Sequence, residues 1–340
     1  MVQETTAGSP WTWIDDKTFE LRGTRFRSGT MPMGLSADEF LVAKPPELTR
    51  KYLELVRAEA PQRIVEIGVK AGGSTAMIAL LADPRLLLAI DLAQEVPPLL
   101  TRFLHDRDLE HRVVTAFGTD QGDQAALTRI VDDARSSEPL DLIIDDGSHI
   151  LGPTRASFEV LFPRLRPGGL FVIEDWSSEC TVARHLAQAL PEGADVSERL
   201  DGVNRVFHIL NDPDGTLPPA VTDSMKAVAA ARAGDPSAAP LDLFELLATA
   251  AATADLGDLA DGRAGSVRPV ADLAVELMML AATAPEVVAE VRIDSHWLTV
   301  RRGGAELPMD DFRLDRRWTD FFGYLPGSRS PGSPAGSSMP

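Results

Sequence analysis

The chain of 340 residues is poor in cysteine, since Cys180 is its only one. No disulfide can form within the chain, which favours a reducing compartment, and a lone thiol without a neighbouring base is typical of a structural residue. Positive charge is also scarce, because 33 lysines and arginines stand against 51 aspartates and glutamates, a net charge of −18. Such a charge repels phosphate backbones and anionic membranes, so we expect neither nucleic acid nor a membrane as a partner.

Long apolar segments are missing as well. The most apolar helix candidate, residues 271–283, contains Asp272 and Glu276 and is far shorter than the ~20 residues of a membrane span. The N-terminus has no basic segment followed by an apolar one, so we expect no signal peptide. Hydrophobic residues make up 44% of the chain, enough for a core. These features together predict a soluble, cytoplasmic protein.

The sequence does contain a regular alternation of strand-like and helix-like segments between residues 63 and 175. Five short apolar runs are each separated by a helical segment, and they read RIVEIG, LLLAIDL, RVVTAFG, PLDLIIDDG and GGLFVIED. Continuous apolar strands that alternate with helices are typical of a parallel sheet covered on both faces. The sequence therefore predicts an α/β fold with a doubly wound, mostly parallel sheet.

The other segments are predicted to flank this core, which spans residues 46–183. Residues 1–45 are expected to form an extension or a lid, and the Ala-rich residues 184–265 a helical insertion. Residues 266–325 contain a helix and two β-rich runs that lie only two residues apart, which predicts a C-terminal β-hairpin that completes the core. The tail, residues 326–340, has low complexity and is expected to be disordered.

A glycine-rich turn follows the first predicted strand, in the stretch VEIGVKAGGST. Ligands bind outside the carboxyl ends of parallel strands. The G-x-x-x-G-G spacing differs from the G-x-G-x-x-G of dinucleotide enzymes and suits S-adenosylmethionine (SAM), whose cationic groups tolerate nearby acids. An ordinary tight turn is the alternative interpretation. The predicted SAM-binding residues are Glu66, Gly68, Gly72, Ser74, Asp91, Asp120, Gln121 and Asp145.

Acidic pairs end the fourth and fifth predicted strands, in the stretches IDDGSH and VIEDW. Both ends open on the same edge of a parallel sheet, so their carboxylates repel one another unless some protonate or a cation lies among them. Oxygen ligands favour magnesium, calcium or manganese over zinc, and the sequence therefore predicts a divalent metal site. The alternatives are solvated loop acids, a turn cap at Asp145 and an ordinary loop histidine at His149.

These features together predict methyl transfer to an oxygen atom. A hydroxyl group must lose its proton to attack a methyl donor, and coordination to a dication makes that loss easier. An imidazole is the side chain best suited to accept a proton near neutral pH, so His149 is the predicted acceptor of this proton. The oxygen then attacks the SAM methyl group in line, so positioning supplies much of the rate.

The core resembles the metal-dependent class I SAM methyltransferases of natural-product pathways, and within them the macrolide and rhamnosyl sugar O-methyltransferases related to cephalosporin hydroxylase-like proteins. The resemblance covers residues 20–180 and the terminal hairpin, and it is carried by IDDGSH, SFEVLFPRLRPGGLFVIED and GTDQGD. It implies a Rossmann-like core with Asp146, Glu174 and Asp175 as metal ligands. It also implies His149 as general base, SAM and Mg2+ (or Mn2+ or Ca2+) as cofactors, and a glycosylated natural product as acceptor.

Two segments depart from this resemblance. Residues 176–179 replace a Thr-Ser-aromatic loop that often touches the acceptor in relatives, and the insertion at 184–265 has no recognised counterpart. Two rival functions stay open. A nicotinamide-dependent oxidoreductase is disfavoured by the missing G-x-G-x-x-G and by the acidic pairs, and a non-methylating SAM-binding partner subunit is disfavoured by the complete set of acids with His149. The resemblance and the Ala-rich insertion also indicate self-association into a homo-oligomer.

Overall fold

The computed structural model describes residues 10–29, 35–189, 222–223, 226–227 and 270–317. Most of the predicted helical insertion and the whole of the predicted disordered tail lie outside these residues. Within the described part of the chain, no helix combines the length and the apolar character that a membrane crossing needs.

A seven-stranded sheet forms the centre of the fold. Its parallel strands are β5 (Arg63–Ile67), β6 (Leu86–Asp91), β7 (Val113–Phe117), β8 (Leu140–Asp145) and β9 (Leu165–Glu174). An antiparallel hairpin adds the strands β10 (Val288–Ile293) and β11 (Trp297–Arg302) beside β9. The strand order is β10-β11-β9-β8-β5-β6-β7. The predicted fold class, a mostly parallel sheet with a C-terminal hairpin, is confirmed.

Helices cover both faces of this sheet, as the continuous apolar strands predict. They are α1 (Pro46–Glu59), α2 (Gly73–Ala82), α3 (Pro98–Asp106), α4 (Gln124–Arg135), α5 (Leu151–Leu161), α6 (Ser178–Ala189) and α7 (Ala271–Thr283). Because successive strand residues point to opposite faces, Ile64 packs in the core with α1, α2 and α3. Its neighbour Val65 packs in a second core with α4, α5 and α7.

A second, four-stranded sheet precedes the core, and the sequence analysis did not anticipate it. Its strands are β1 (Trp11–Trp13), β2 (Thr18–Leu21), β3 (Thr24–Ser28) and β4 (Phe40–Val42). The hairpin between β2 and β3 turns at Arg22 and Gly23, whose φ angles of 48° and 75° are those of a tight two-residue turn. The ring of Phe40 contacts the ring of Phe103 in α3, with centroids 5.3 Å apart, so this sheet packs onto the core.

Candidate functional site

The carboxyl ends of β5, β8 and β9 lie side by side in the central sheet. Asp145 of β8 is paired with Ile67 of β5 on one side and with Ile173 of β9 on the other. The backbone N–H of Asp146 then donates to the carbonyl of Ile67 at 2.9 Å. The strand order reverses between β5 and β8, and ligands of open α/β sheets bind at such a switch point. The turn after β5 and both acidic strand ends therefore meet at one edge.

Three ionisable side chains converge at this edge. Asp146, His149 and Asp175 each offer one ligand atom, and these atoms all lie within 4.8 Å of one another. The Nε2 atom of His149 is 3.7 Å from Oδ1 of Asp146. Two carboxylates and one imidazole form a donor set that divalent cations accept. The residues of this edge therefore fit a divalent ion.

Two members of this group have unusual backbone conformations. His149 and Asp175 have φ angles of 54° and 49°, in the left-handed region that few residues other than glycine adopt. The backbone N–H of Asp175 donates to the carbonyl of His296 at 3.0 Å, so the loop before β11 holds Asp175 in position. Residues in sparsely populated conformations cluster at functional sites, which agrees with the place of these two side chains.

Glu174, the third predicted metal ligand, is paired differently. Its Oε1 accepts a hydrogen bond from Nζ of Lys44 at 2.7 Å, and the same ammonium donates to Oδ2 of Asp146 at 2.5 Å. The side chains of Lys44 and Glu174 are only 6% and 2% exposed. Sequence reasoning missed Lys44, because it is 102 residues away from Asp146 and belongs to no motif. A protein cation therefore shares these acids with any bound metal ion.

Burial and neighbouring charges set the protonation of this cluster. Burial raises the pKa of Glu174 to about 7, although the Lys44 ammonium opposes the shift. Burial also raises the pKa of Asp175, against the attraction of His149. For Lys44, burial lowers the pKa, but Asp146 and Glu174 outweigh it and leave the pKa above its ordinary value. Lys44 is therefore charged, and a further cation would favour ionised carboxylates here.

Asp91, predicted to contact the ribose of SAM, closes the turn after β5. Its Oδ2 accepts from the backbone N–H of Val69 at 2.7 Å and from that of Lys70 at 2.9 Å. Its Oδ1 accepts from the N–H of Ala93 at 2.8 Å. A carboxylate has about four acceptor positions, so these three bonds leave capacity for one ligand hydroxyl. The half-buried Asp91 thus fits the predicted contact with a ribose.

Glu66 lies beneath the same turn. Its side chain is 1% exposed, and its Oε2 accepts a hydrogen bond from the hydroxyl of Thr75 at 2.6 Å. Burial raises the pKa of Glu66 to about 7, while the hydroxyls of Ser74 and Thr75 favour the ionised form. Asp120, another predicted SAM-binding residue, is exposed, unlike Glu66. Its side chain accepts a hydrogen bond from the backbone N–H of Gly122.

The glycines of the turn are required by packing within the protein. A Cβ atom at Gly68, where φ is 89°, would lie 2.0 Å from the carbonyl oxygen of Asp146. A Cβ atom at Gly73 would lie 2.0 Å from the carbonyl oxygen of Leu41, and Gly72 is the N-cap of α2. The sequence analysis connected this glycine spacing with the binding of SAM. In the structure, the middle residue of β4, Leu41, makes the close approach to Gly73.

Gln121 links the loop after β7 to the acidic loop after β8. Its Nε2 donates to both carboxylate oxygens of Asp145 at 3.2 Å, and its Oε1 accepts from the backbone N–H of Ser148 at 2.7 Å. Asp145 is 2% exposed and also accepts from the hydroxyl of Ser157 at 2.5 Å. Burial raises the pKa of Asp145 to about 6. Gln121 and Asp145 thus fasten the loop that carries His149.

Part of the chain is similar to known proteins. Residues 65–176 match a family described as a methyltransferase domain. Demethylmacrocin O-methyltransferase of Streptomyces fradiae is 50% identical over 70 residues, which are 20% of this chain and 17% of that protein. The 8-demethyl-8-alpha-L-rhamnosyl tetracenomycin-C 2'-O-methyltransferase of Streptomyces olivaceus is 38% identical over 119 residues, 33% of this chain and 28% of that protein.

Among solved structures, the MycE methyltransferase from the mycinamycin biosynthetic pathway, in complex with Mg, SAH and mycinamycin VI, is 21% identical with a TM-score of 0.37. That match covers 75% of this chain and 49% of the other. The chain thus spans less than half of the length of each of these relatives. The matched segment 65–176 begins in β5 and ends just after β9, so it contains the glycine turn and both acidic strand ends. These residues match the methyltransferase-domain family, and the resemblance of the core to natural-product O-methyltransferases is confirmed.

Proposed function

We propose that the chain is a SAM-dependent O-methyltransferase that requires a divalent cation and acts on a hydroxyl group of a glycosylated natural product. The observation that carries this proposal is the convergence of Asp146, His149 and Asp175 beside the glycine turn. Relatives of the matched domain are named for O-methylation of demethylmacrocin and of a rhamnosyl tetracenomycin. These names support a sugar hydroxyl as the acceptor.

We propose that SAM binds along the turn after β5. The remaining acceptor capacity of Asp91 supports a hydrogen bond from a ribose hydroxyl. The buried carboxyl of Glu66 contributes to an acidic environment, which attracts the sulfonium and ammonium groups of SAM. Gln121 and Asp145 keep the neighbouring acidic loop in place through hydrogen bonds, so the donor and the acceptor would meet in a fixed geometry.

We propose Asp146 and Asp175 as carboxylate ligands of the divalent ion. Glu174, the third candidate, would have to exchange its hydrogen bond with Lys44 for the ion. When bound, a divalent cation supplies positive charge that makes a coordinated hydroxyl more acidic. The self-association expected from the resemblance and the Ala-rich residues 184–265 is part of this proposal.

His149 is the proposed general base. Its side chain is 14% exposed and its Nε2 lies 3.7 Å from Oδ1 of Asp146. A neighbouring carboxylate stabilises the imidazolium that forms when the ring accepts a proton from the acceptor hydroxyl. The left-handed backbone of His149 turns the chain between β8 and α5.

Methyl transfer to demethylmacrocin and to the rhamnosyl tetracenomycin tests this proposal. The purified chain would be incubated with SAM and each acceptor, before and after treatment with EDTA, and the products analysed by mass spectrometry. We expect a methylated product that disappears with chelation and returns with Mg2+. Turnover that survives complete chelation would refute the metal requirement. Binding of SAM without transfer to any glycosylated acceptor would instead support a non-methylating subunit.

A further inference from the structure

Lys44 is a buried cation in contact with two acids of the candidate metal site. Its ammonium lies 2.5 Å from Asp146 and 2.7 Å from Glu174, and it also lies over the ring of Tyr52, 4.9 Å from the ring centroid. Two carboxylates and an aromatic face together neutralise and enclose the charge. The position of Lys44 overlaps the position that a metal ion would need in order to coordinate both acids.

We propose that Lys44 is a built-in competitor of the divalent ion, which holds Asp146 and Glu174 in the metal-free protein and sets the affinity of the site for the metal. This inference rests on the proposed function, because it presumes that the acid cluster binds a divalent cation. Lys44 acts through the carboxylates, so it is a positioning residue.

The backbone around Lys44 is anchored, which keeps the ammonium within reach of the cluster. The carbonyl of Lys44 accepts a hydrogen bond from the hydroxyl of Ser28 in β3 at 2.6 Å. That hydroxyl also lies 2.8 Å from the hydroxyl of Thr49 in α1, and the N–H of Lys44 donates to the carbonyl of Val42 at 2.7 Å. A bound metal therefore has to share the acids with a tethered cation.

Lys44 lowers the net negative charge of the site and therefore its affinity for a divalent ion. Asp146, Glu174 and Asp175 bring three negative charges when ionised, and Lys44 offsets one of them. Removal of the ammonium leaves the site with one more negative charge within a few ångströms of the metal. A dication is attracted to such a charge strongly enough to tighten its binding by about tenfold or more. The metal-free protein loses stability at the same time, because buried carboxylates then lack their partner.

Lys44→Met tests this inference, and Lys51→Met is its matched control. Lys51 also pairs with an aspartate, at 2.7 Å from Asp294, and lies over an aromatic ring, that of Trp297. Its partner stands outside the acid cluster, and its side chain is 35% exposed. We expect Lys44→Met to bind Mg2+ or Mn2+ about tenfold more tightly than the wild type in calorimetry. We expect a much smaller change from Lys51→Met, because its charge acts on Glu174 but its hydrogen bond goes to Asp294.

Thermal unfolding gives a second readout that needs no turnover. Without metal, we expect Lys44→Met to melt at a lower temperature than the wild type. We expect added Mg2+ to raise the melting temperature of Lys44→Met more than that of the wild type. If Lys44→Met does not fold, Lys44→Gln keeps a neutral hydrogen-bond donor beside the two acids, and we expect it to bind Mg2+ more tightly than the wild type for the same reason. Affinity of Lys44→Gln at or below the wild-type value would overturn the inference.

The outcomes separate this inference from the proposed function. If the wild type binds the metal as tightly as Lys44→Met does, the proposed competition between Lys44 and the ion is wrong. The proposal of metal-dependent methyl transfer is unaffected by this outcome. If neither protein binds a divalent ion, the metal requirement of the proposed function fails and the inference fails with it. Tighter binding by Lys44→Met, with a much smaller change in Lys51→Met, supports the competition.

Discussion

Replacement of Glu66 by glutamine tests how strongly burial destabilises the ionised carboxylate beneath the turn after β5. The Glu66 side chain is 1% exposed, and burial raises its pKa from 4.5 to about 7. At roughly 1.4 kcal/mol per pKa unit, this difference corresponds to about 3 kcal/mol. That free energy is the cost of an ionised Glu66 in the native state relative to the unfolded chain.

The raised pKa makes the contribution of Glu66 to stability depend on pH. Because the pKa of Glu66 is higher in the native state, the native state binds this proton more tightly than the unfolded chain between pH 4.5 and about 7. The contribution of Glu66 to stability is therefore fully present below pH 4.5 and is lost as the pH rises through about 7. Glutamine carries no charge and still offers an acceptor to the Thr75 hydroxyl. We expect Glu66→Gln to be more stable than the wild type above neutral pH by up to about 3 kcal/mol.

Urea unfolding of the SAM-free protein in mildly acidic and mildly alkaline buffer measures this difference. We expect the advantage of Glu66→Gln to shrink to less than about 1 kcal/mol as the pH approaches the pKa of the unfolded glutamate. Glu54→Gln, on the exposed face of α1, is the control, and we expect little change from it in either buffer. An advantage that does not depend on pH, or no advantage in alkaline buffer, would refute the assigned burial cost.

Three further substitutions test the site and its packing. We expect His149→Ala to lower kcat by roughly a hundredfold or more with unchanged SAM affinity in calorimetry; weakened SAM binding would mean that His149 is structural. Asp146→Ala should lose both divalent-ion binding and turnover, and normal metal-stimulated rates would contradict its role as a ligand. Gly73→Ala should lower the free energy of unfolding by roughly 2 kcal/mol, because its Cβ would meet the Leu41 carbonyl at 2.0 Å. In Gly152→Ala, the matched control in a helix, the new Cβ meets nothing within 4 Å, and we expect no loss.

The central sheet could be predicted because its signals are local. Each strand is an apolar run bounded by turn residues, and the acids follow directly in the chain, so the parallel arrangement alone brings them to one edge. The pair IDDGSH and VIEDW was sufficient to locate the edge where Asp146, His149 and Asp175 converge. The sequence could not decide which of these acids would be free for a ligand.

The pairing of Lys44 could not be predicted, because it depends on contacts across 102 and 130 residues of sequence. A single lysine before a helix has no pattern that reveals its partner. The N-terminal sheet did leave a signal, since TFEL and TRFRS alternate in polarity around the two-residue turn at Arg22 and Gly23. The strands of this sheet are short, so their pattern is weaker than the alternation of strands and helices in the core.

The C-terminal hairpin determines how small a working piece of this protein can be. Similarity to the methyltransferase domain ends at residue 176, yet Trp297 pairs with Glu174 and the His296 carbonyl binds the amide of Asp175. A fragment trimmed to residues 65–176 would leave β9 as an unprotected outer strand, with bare amides and carbonyls facing water. The two acids at the end of this strand would then lie on a segment that frays. An expression fragment must therefore retain the C-terminal hairpin and the segment that contains Lys44.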